Sequence, residues 1–257
     1  MSRTTFDTWL SCPQRNPQAS LKLFCFPYAG GTAQIYRPWA SSLPSTVEVY
    51  LINLPGRGMR LHERTFTQMS PMVQEIANVL LPVLDKPFAF FGHSMGALIS
   101  FELAHHLRSE NGLSPAQLFV SGRRAPQIPD TDPPTHELPD AEFIEELRRL
   151  NGTPKEVLEH PELMQIMLPV LRSDFAICQT YAYEPRPILD CPITAYGGLL
   201  DEDVSREQLE AWGKQTSALF KMRLLPGDHF FIHTAQSLLL EALTHELNLL
   251  ARRLFYF

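Results

Sequence analysis

Apolar positions along this chain alternate between two spacings. Short, dense runs at residues 21–26, 47–53, 88–91, 117–121, 193–196 and 222–225 have the length and the branched or aromatic content of strands. Their near-continuous hydrophobicity marks strands buried on both faces. Between most of them the apolar residues recur with helical spacing, over 70–84, 95–107, 206–216 and 235–252. Strand and helix in alternation predict an α/β fold, with a mostly parallel central sheet flanked by helices on both faces.

One interval breaks this rhythm. Pro126, Pro129, Pro133, Pro134 and Pro139 exclude a regular element from its first part. After Asp140, the positions Phe143, Ile144, Leu147 and Leu150 lie on one side of a helix, and Leu163, Ile166, Met167, Val170 and Leu171 predict a second, longer one. Residues of about 125–185 therefore read as an insertion in a single domain spanning 1–257, placed where helices can close over the sheet as a lid.

Composition alters this picture little. The chain has 257 residues, is 44% hydrophobic and 19% charged, and carries a net charge of -6, which suits one well-buried globular domain and gives no basic surface for nucleic acid. Cys12, Cys25, Cys178 and Cys191 lack metal or redox spacing and read as reduced, structural thiols. No apolar stretch has the length of a signal peptide core or a bilayer span, so the expected setting is the cytoplasm, away from membranes.

The candidate chemistry begins where the run 88–91 ends, in Gly92-His93-Ser94-Met95-Gly96. A G-x-S-x-G turn between strand and helix presents a nucleophilic serine: the two glycines let strand and helix approach closely while Ser94 takes a strained backbone that lifts its Oγ clear of the sheet. A serine hydroxyl needs a histidine base and an acid to orient it, and in this architecture the order along the chain is serine, acid, histidine. That order excludes His62 and His93. Of the later histidines, His229 follows a strand-like run through Pro226-Gly227-Asp228 and so reaches the carboxyl edge of the sheet, where sites of open α/β sheets form. His105 and His106 lie on the helix leaving Ser94, His245 on the last helix. His233, one helical turn beyond His229, lacks a third partner for a metal site.

The run 192–198 delivers Asp201 as first choice for the acid. Asp203 remains open as its replacement, or as a cap for the helix beginning near Ser205, and Asp228 is too close to His229 for good alignment. Two backbone N–H groups must receive the oxyanion. Met95, following the nucleophile, offers one; the loop Phe26-Pro27-Tyr28-Ala29-Gly30-Gly31 offers the other, from Ala29 or alternatively Tyr28. No cofactor or metal is required by this set.

Five segments in order, F-P-Y-A-G-G (26–31), L-P-G-R-G (54–58), F-F-G-H-S-M-G (90–96), Y-G-G-L-L-D-E-D-V-S (196–205) and G-D-H-F-F (227–231), resemble the type II thioesterases of nonribosomal peptide and polyketide synthesis. That resemblance implies the α/β-hydrolase fold, a triad of Ser94, Asp201 and His229, and hydrolysis of acyl thioesters from the phosphopantetheine arm of carrier domains, so that misprimed or stalled synthases are cleared in trans. It also implies transient binding to acyl- or peptidyl-carrier domains; a monomer is expected, with Arg123, Arg124, Arg148 and Arg149 either meeting an acidic carrier face or simply solvated. The arm belongs to the carrier, and the protein would hold no cofactor of its own. A product-releasing or cyclising thioesterase shares this machinery and is the nearest alternative; a general esterase or a non-catalytic binding module stands further off.

Overall fold

A computed structural model describes residues 8–153 and 155–255. The first residues of the N-terminal stretch read for a targeting signal, 1–7, lie outside the described residues.

The sheet has seven strands in the order β1-β3-β2-β4-β5-β6-β7. These are β1 (Leu10–Ser11), β2 (Leu21–Phe26), β3 (Val47–Ile52), β4 (Phe88–His93), β5 (Gln117–Ser121), β6 (Ile193–Gly198) and β7 (Phe220–Leu225). All neighbours pair in parallel except β1, which lies antiparallel on β3. Sequence patterning missed β1 because a strand of this length contains no period to detect.

Side chains alternate cleanly between the two faces. Phe24, Phe26 and Phe90 enter one core, with Met72, Ile76, Leu98 and Phe101. Leu23, Cys25, Ala89 and Phe91 enter the other, with Trp39, Leu239, Leu243 and Leu247. Because both faces are covered, the strands read as continuous apolar runs rather than as alternating ones.

The helices are α1 (Trp39–Ser42), α2 (Met69–Leu80), α3 (Met95–Asn111), α4 (Asp140–Arg149), α5 (Lys155–Leu158), α6 (Pro161–Gln179), α7 (Arg206–Glu210), α8 (Phe231–Thr234) and α9 (Gln236–Phe255). α3 is buried along most of its length and ends where Gly112 takes a left-handed conformation (φ 65°). The region expected to be helical over 70–84 gives way to a 3-10 turn at Leu81–Val83, where Pro82 cannot donate to the helix. The stretch 206–216 likewise splits into α7 and the 3-10 helix Ala211–Gln215.

Helices α4, α5 and α6 all fall between β5 and β6, within the interval that broke the strand-helix rhythm. They carry their own small core of Phe143, Leu147, Leu158, Met164 and Leu171. Among the described residues no helix is long and apolar enough to cross a membrane, and all four cysteines are free thiols.

Candidate active site

The chain leaves β2 toward β3 on one side and leaves β4 toward β5 on the other, so the order reverses between β2 and β4. A crevice at the carboxyl ends of the strands forms at such a switch. The loop after β2 holds Ala29, and the turn after β4 holds Ser94.

Ser94 has φ 52° and ψ -113°, a conformation that only glycine adopts without strain. The packing around it explains the glycines. A Cβ on Gly92 would lie 2.0 Å from the Gly96 carbonyl oxygen, and one on Gly96 would lie 2.2 Å from that of Phe26. Strand and helix therefore meet at backbone distance. The Ser94 N–H donates to the Ser121 carbonyl at 2.7 Å, and the Ser94 carbonyl accepts from Ala97 at 3.0 Å, which starts α3 directly behind the hydroxyl.

The loops after β6 and β7 are tied to each other before they reach the site. Leu199 N–H donates to the Leu225 carbonyl at 2.8 Å and Leu200 N–H to the Gly227 carbonyl at 2.9 Å. This pairing sets Asp201 beneath His229, and Nδ1 of His229 meets Oδ2 of Asp201 at 2.9 Å. The Asp201 side chain is fully buried, against 15% exposure for His229. Its second oxygen accepts the N–H groups of Asp203 at 3.0 Å and Val204 at 3.1 Å. A carboxylate so placed can accept the Nδ1 proton of the ring and leave Nε2 free to take another.

Asp203 stands beside this pair, since the ligand atoms of Asp201, Asp203 and His229 lie within 4.8 Å of one another. Burial pushes its carboxyl above the usual range, opposed by the charge of His229 and reinforced by that of Asp201. It makes no hydrogen bond to His229, and it does not cap the following helix. Ser205 does that, in a capping box with Gln208. Asp228 turns back on its own loop, accepting the Phe230 N–H at 2.9 Å.

Three other histidines, His93, His233 and His105, are held by contacts of their own. His93 is fully buried with Nδ1 2.9 Å from Ser121 Oγ, its ring 5.4 Å from that of His229. Burial, then the nearby His229 and His233, holds it well below the ordinary imidazole range. His233 Nε2 pairs with the Tyr28 hydroxyl at 2.9 Å. His105 is buried against Phe101 at 4.6 Å between ring centroids.

Met95 is the first residue of α3, so its N–H belongs to the unpaired helix terminus. Among the described residues the N–H groups of Ala29 and Tyr28 likewise donate to no protein acceptor. The Tyr28 ring packs against His93, Phe230 and His233 and forms an aromatic wall between the two loops.

The inserted helices sit over these loops. Arg149, ending α4, reaches within 3.8 Å of Asp203. Asn151 Nδ2 is 3.5 Å from Asp228 Oδ2, and a Cβ on Gly152 would lie 2.4 Å from the Phe230 ring. Three of the four candidate docking arginines are in ion pairs within the chain: Arg124 with Asp130 at 3.1 Å, Arg149 also with Glu146 at 2.7 Å, and Arg148 with Glu145.

Sequence reasoning overlooked a buried ion pair between Arg57 and Asp174, at 2.6 and 2.7 Å. A signal for it was present. Asp174 shares the buried stripe of α6 with Val170, Leu171 and Ile177, and a carboxylate on an apolar stripe demands a partner.

The sequence profile of the thioesterase domain matches residues 21–247. The chain is 46% identical to gramicidin S biosynthesis protein GrsT of Aneurinibacillus migulanus over 94% of each chain. It is 51% identical to a protein of Brevibacillus parabrevis described as linear gramicidin dehydrogenase LgrE, over 90% of this chain and 89% of that one. No G-x-G-x-x-G dinucleotide loop accompanies that description in the present sequence. Among solved structures, the type II thioesterase BorB from the borrelidin biosynthetic cluster superposes with a TM-score of 0.85, at 35% identity, over 95% of this chain and 99% of that one. With the switch-point serine and the paired loops around it, these likenesses establish that the chain belongs to the thioesterase family, as a type II thioesterase of the α/β-hydrolase fold that hydrolyses thioesters.

Proposed function

We propose that the protein clears acyl or aminoacyl groups from the phosphopantetheine arm of carrier domains in a nonribosomal peptide or polyketide pathway, acting in trans on misprimed or stalled synthases. The observation that carries this reading is the His229–Asp201 hydrogen bond of 2.9 Å, set on loops at the same sheet edge as the strained serine turn. The names of the gramicidin and borrelidin relatives support the biosynthetic setting.

In the mechanism, His229 Nε2 takes the Ser94 proton as Oγ attacks the thioester carbonyl. The oxyanion is received by the Met95 and Ala29 N–H groups, and the carrier thiol leaves with the proton that His229 returns. Water deprotonated by His229 then attacks the acyl-serine, the free acid departs, and Ser94 is regenerated. Asp201 holds the imidazole tautomer through both halves. No cofactor or metal enters any step. The helices of about 125–185 act as a lid within the one domain, and the enzyme works as a cytoplasmic monomer that meets its carrier transiently.

The test is hydrolysis of acyl-carrier thioesters by Ser94→Ala, which is expected to abolish the serine-dependent rate. Turnover at the wild-type rate would refute the scheme. A panel of acetyl, longer acyl and aminoacyl carriers separates the readings further: broad acceptance of short groups supports editing, whereas preference for one long, mature chain supports product release.

A further inference from the structure

Resting on the mechanism above, we propose that Arg57 and Asp174 are positioning residues that hold the loop after β2 in the shape that presents the Ala29 N–H to the oxyanion. Neither residue touches the reacting atoms. Both are buried, at 8% and 2% exposure, and the guanidinium grips the carboxylate through both nitrogens. Asp174 Oδ2 also accepts the Gly30 N–H at 2.7 Å, and Arg57 Nη1 donates to the Gly31 carbonyl at 3.3 Å. The pair therefore clamps the Ala29–Gly30 and Gly31–Thr32 peptide units, on either side of the unit whose Gly31 N–H turns back on Tyr28.

The same clamp sets the direction of the Ala29 N–H. This group shares a peptide plane with the Tyr28 carbonyl, which accepts the Gly31 N–H at 2.9 Å. Fixing Gly30 and Gly31 thus fixes that plane, because planar peptides move as units. Gly30 has φ 71°, and a Cβ there would lie 2.4 Å from Leu171 Cδ2, so the loop is pressed onto α6 beside Asp174.

A stability role alone does not explain the choice of residues. Replacing a buried ion pair with apolar side chains of similar volume is often neutral or stabilising. The hydrogen bonds to Gly30 and Gly31 are what such a replacement would remove. Loss of one oxyanion donor lowers kcat by about 100-fold to 1,000-fold, and small misplacements of the site have effects on the order of 100-fold.

The experiment is steady-state hydrolysis of a soluble acyl thioester by the double variant Arg57→Met with Asp174→Leu, with thermal melting of the same preparation. We expect kcat to fall by at least about 30-fold, KM to stay within about threefold and the melting temperature not to fall. Arg57→Lys, which keeps a cation beside the Asp174 carboxylate on Gly30 but gives up the two-pronged grip, should lose clearly less kcat than the double variant. Wild-type kcat in the double variant would overturn the proposal, as would a loss that merely follows a lowered melting temperature. If the double variant does not fold, Arg57→Gln decides: kcat well below that of Arg57→Lys supports the clamp, and equal values overturn it. Ser94→Ala run in parallel separates the two levels. If it stays active the parent mechanism fails, whereas an inactive Ser94→Ala beside a fully active double variant removes only the positioning role.

Discussion

At the scale of single residues, the site turns on which acid serves His229. Asp201 and Asp203 are two positions apart on one loop, a difference that spacing cannot resolve. Burial and bonding distinguish them: the Asp201 side chain is fully buried and accepts from His229 Nδ1 and from two backbone N–H groups, whereas Asp203 faces Arg149. Asp201→Asn is expected to lower kcat by roughly 1,000-fold to 10,000-fold, as the wrong imidazole tautomer does elsewhere. Asp203→Asn should stay within about tenfold, since only a nearby charge is lost. Initial rates on an acyl-carrier thioester decide between them, and a reversal of this order would reassign the acid. The serine and histidine were legible because each follows a strand through a turn. The partner of Asp174 was not, because Arg57 lies far away in sequence and only the fold brings them together.

At the scale of elements, strands were easier to read than their ends. β4 runs to His93, past the last aromatic residue, because its pairing with β5 continues to Ser121. α9 begins only after the short turn of α8, where the chain is still shaped by the His229 loop. The helical segment between β5 and β6 was legible from its prolines and its displaced periodicity, but not how it is fastened. α6 is anchored in its second half, where Ser173 Oγ lies 2.7 Å from Thr65 Oγ1 and Val170 faces Gly56. Its first half leaves Leu163 and Ile166 at 42% and 47% exposure. The proposed lid function therefore rests on that first half. Leu163→Ser with Ile166→Ser should leave melting and the hydrolysis of a short soluble thioester unchanged, yet raise KM for long-chain acyl carriers by about three- to tenfold, the worth of about 0.7–1.4 kcal/mol of lost apolar contact. An unchanged KM across chain lengths would deny those side chains a share in binding.

At the scale of the whole molecule, buried histidines set the response to acid. His93 is held well below the ordinary range by burial, and His105 is pushed down to about 3 by burial and by Arg186 and Arg108. Each has a folded pKa below its unfolded value near 6.5, so the unfolded chain binds more protons. Their stabilising effect is complete above about pH 6.5 and is lost as pH falls, at about 1.4 kcal/mol per unit for each such group. The melting temperature should drop between pH 7 and pH 5, and His105→Leu should flatten part of that slope. A slope unaffected by His105→Leu would place the sensitivity elsewhere.

The backbone at Ser94 bears on stability in the opposite sense to its chemistry. A non-glycine residue held at φ 52° and ψ -113° costs about 1–3 kcal/mol, while glycine in its place costs about 0.5–1 kcal/mol through greater freedom in the unfolded chain. Ser94→Gly should therefore give an inert protein that melts at or above the wild-type temperature. The enzyme is then less durable for being active, a tension between endurance and reactivity concentrated in one residue.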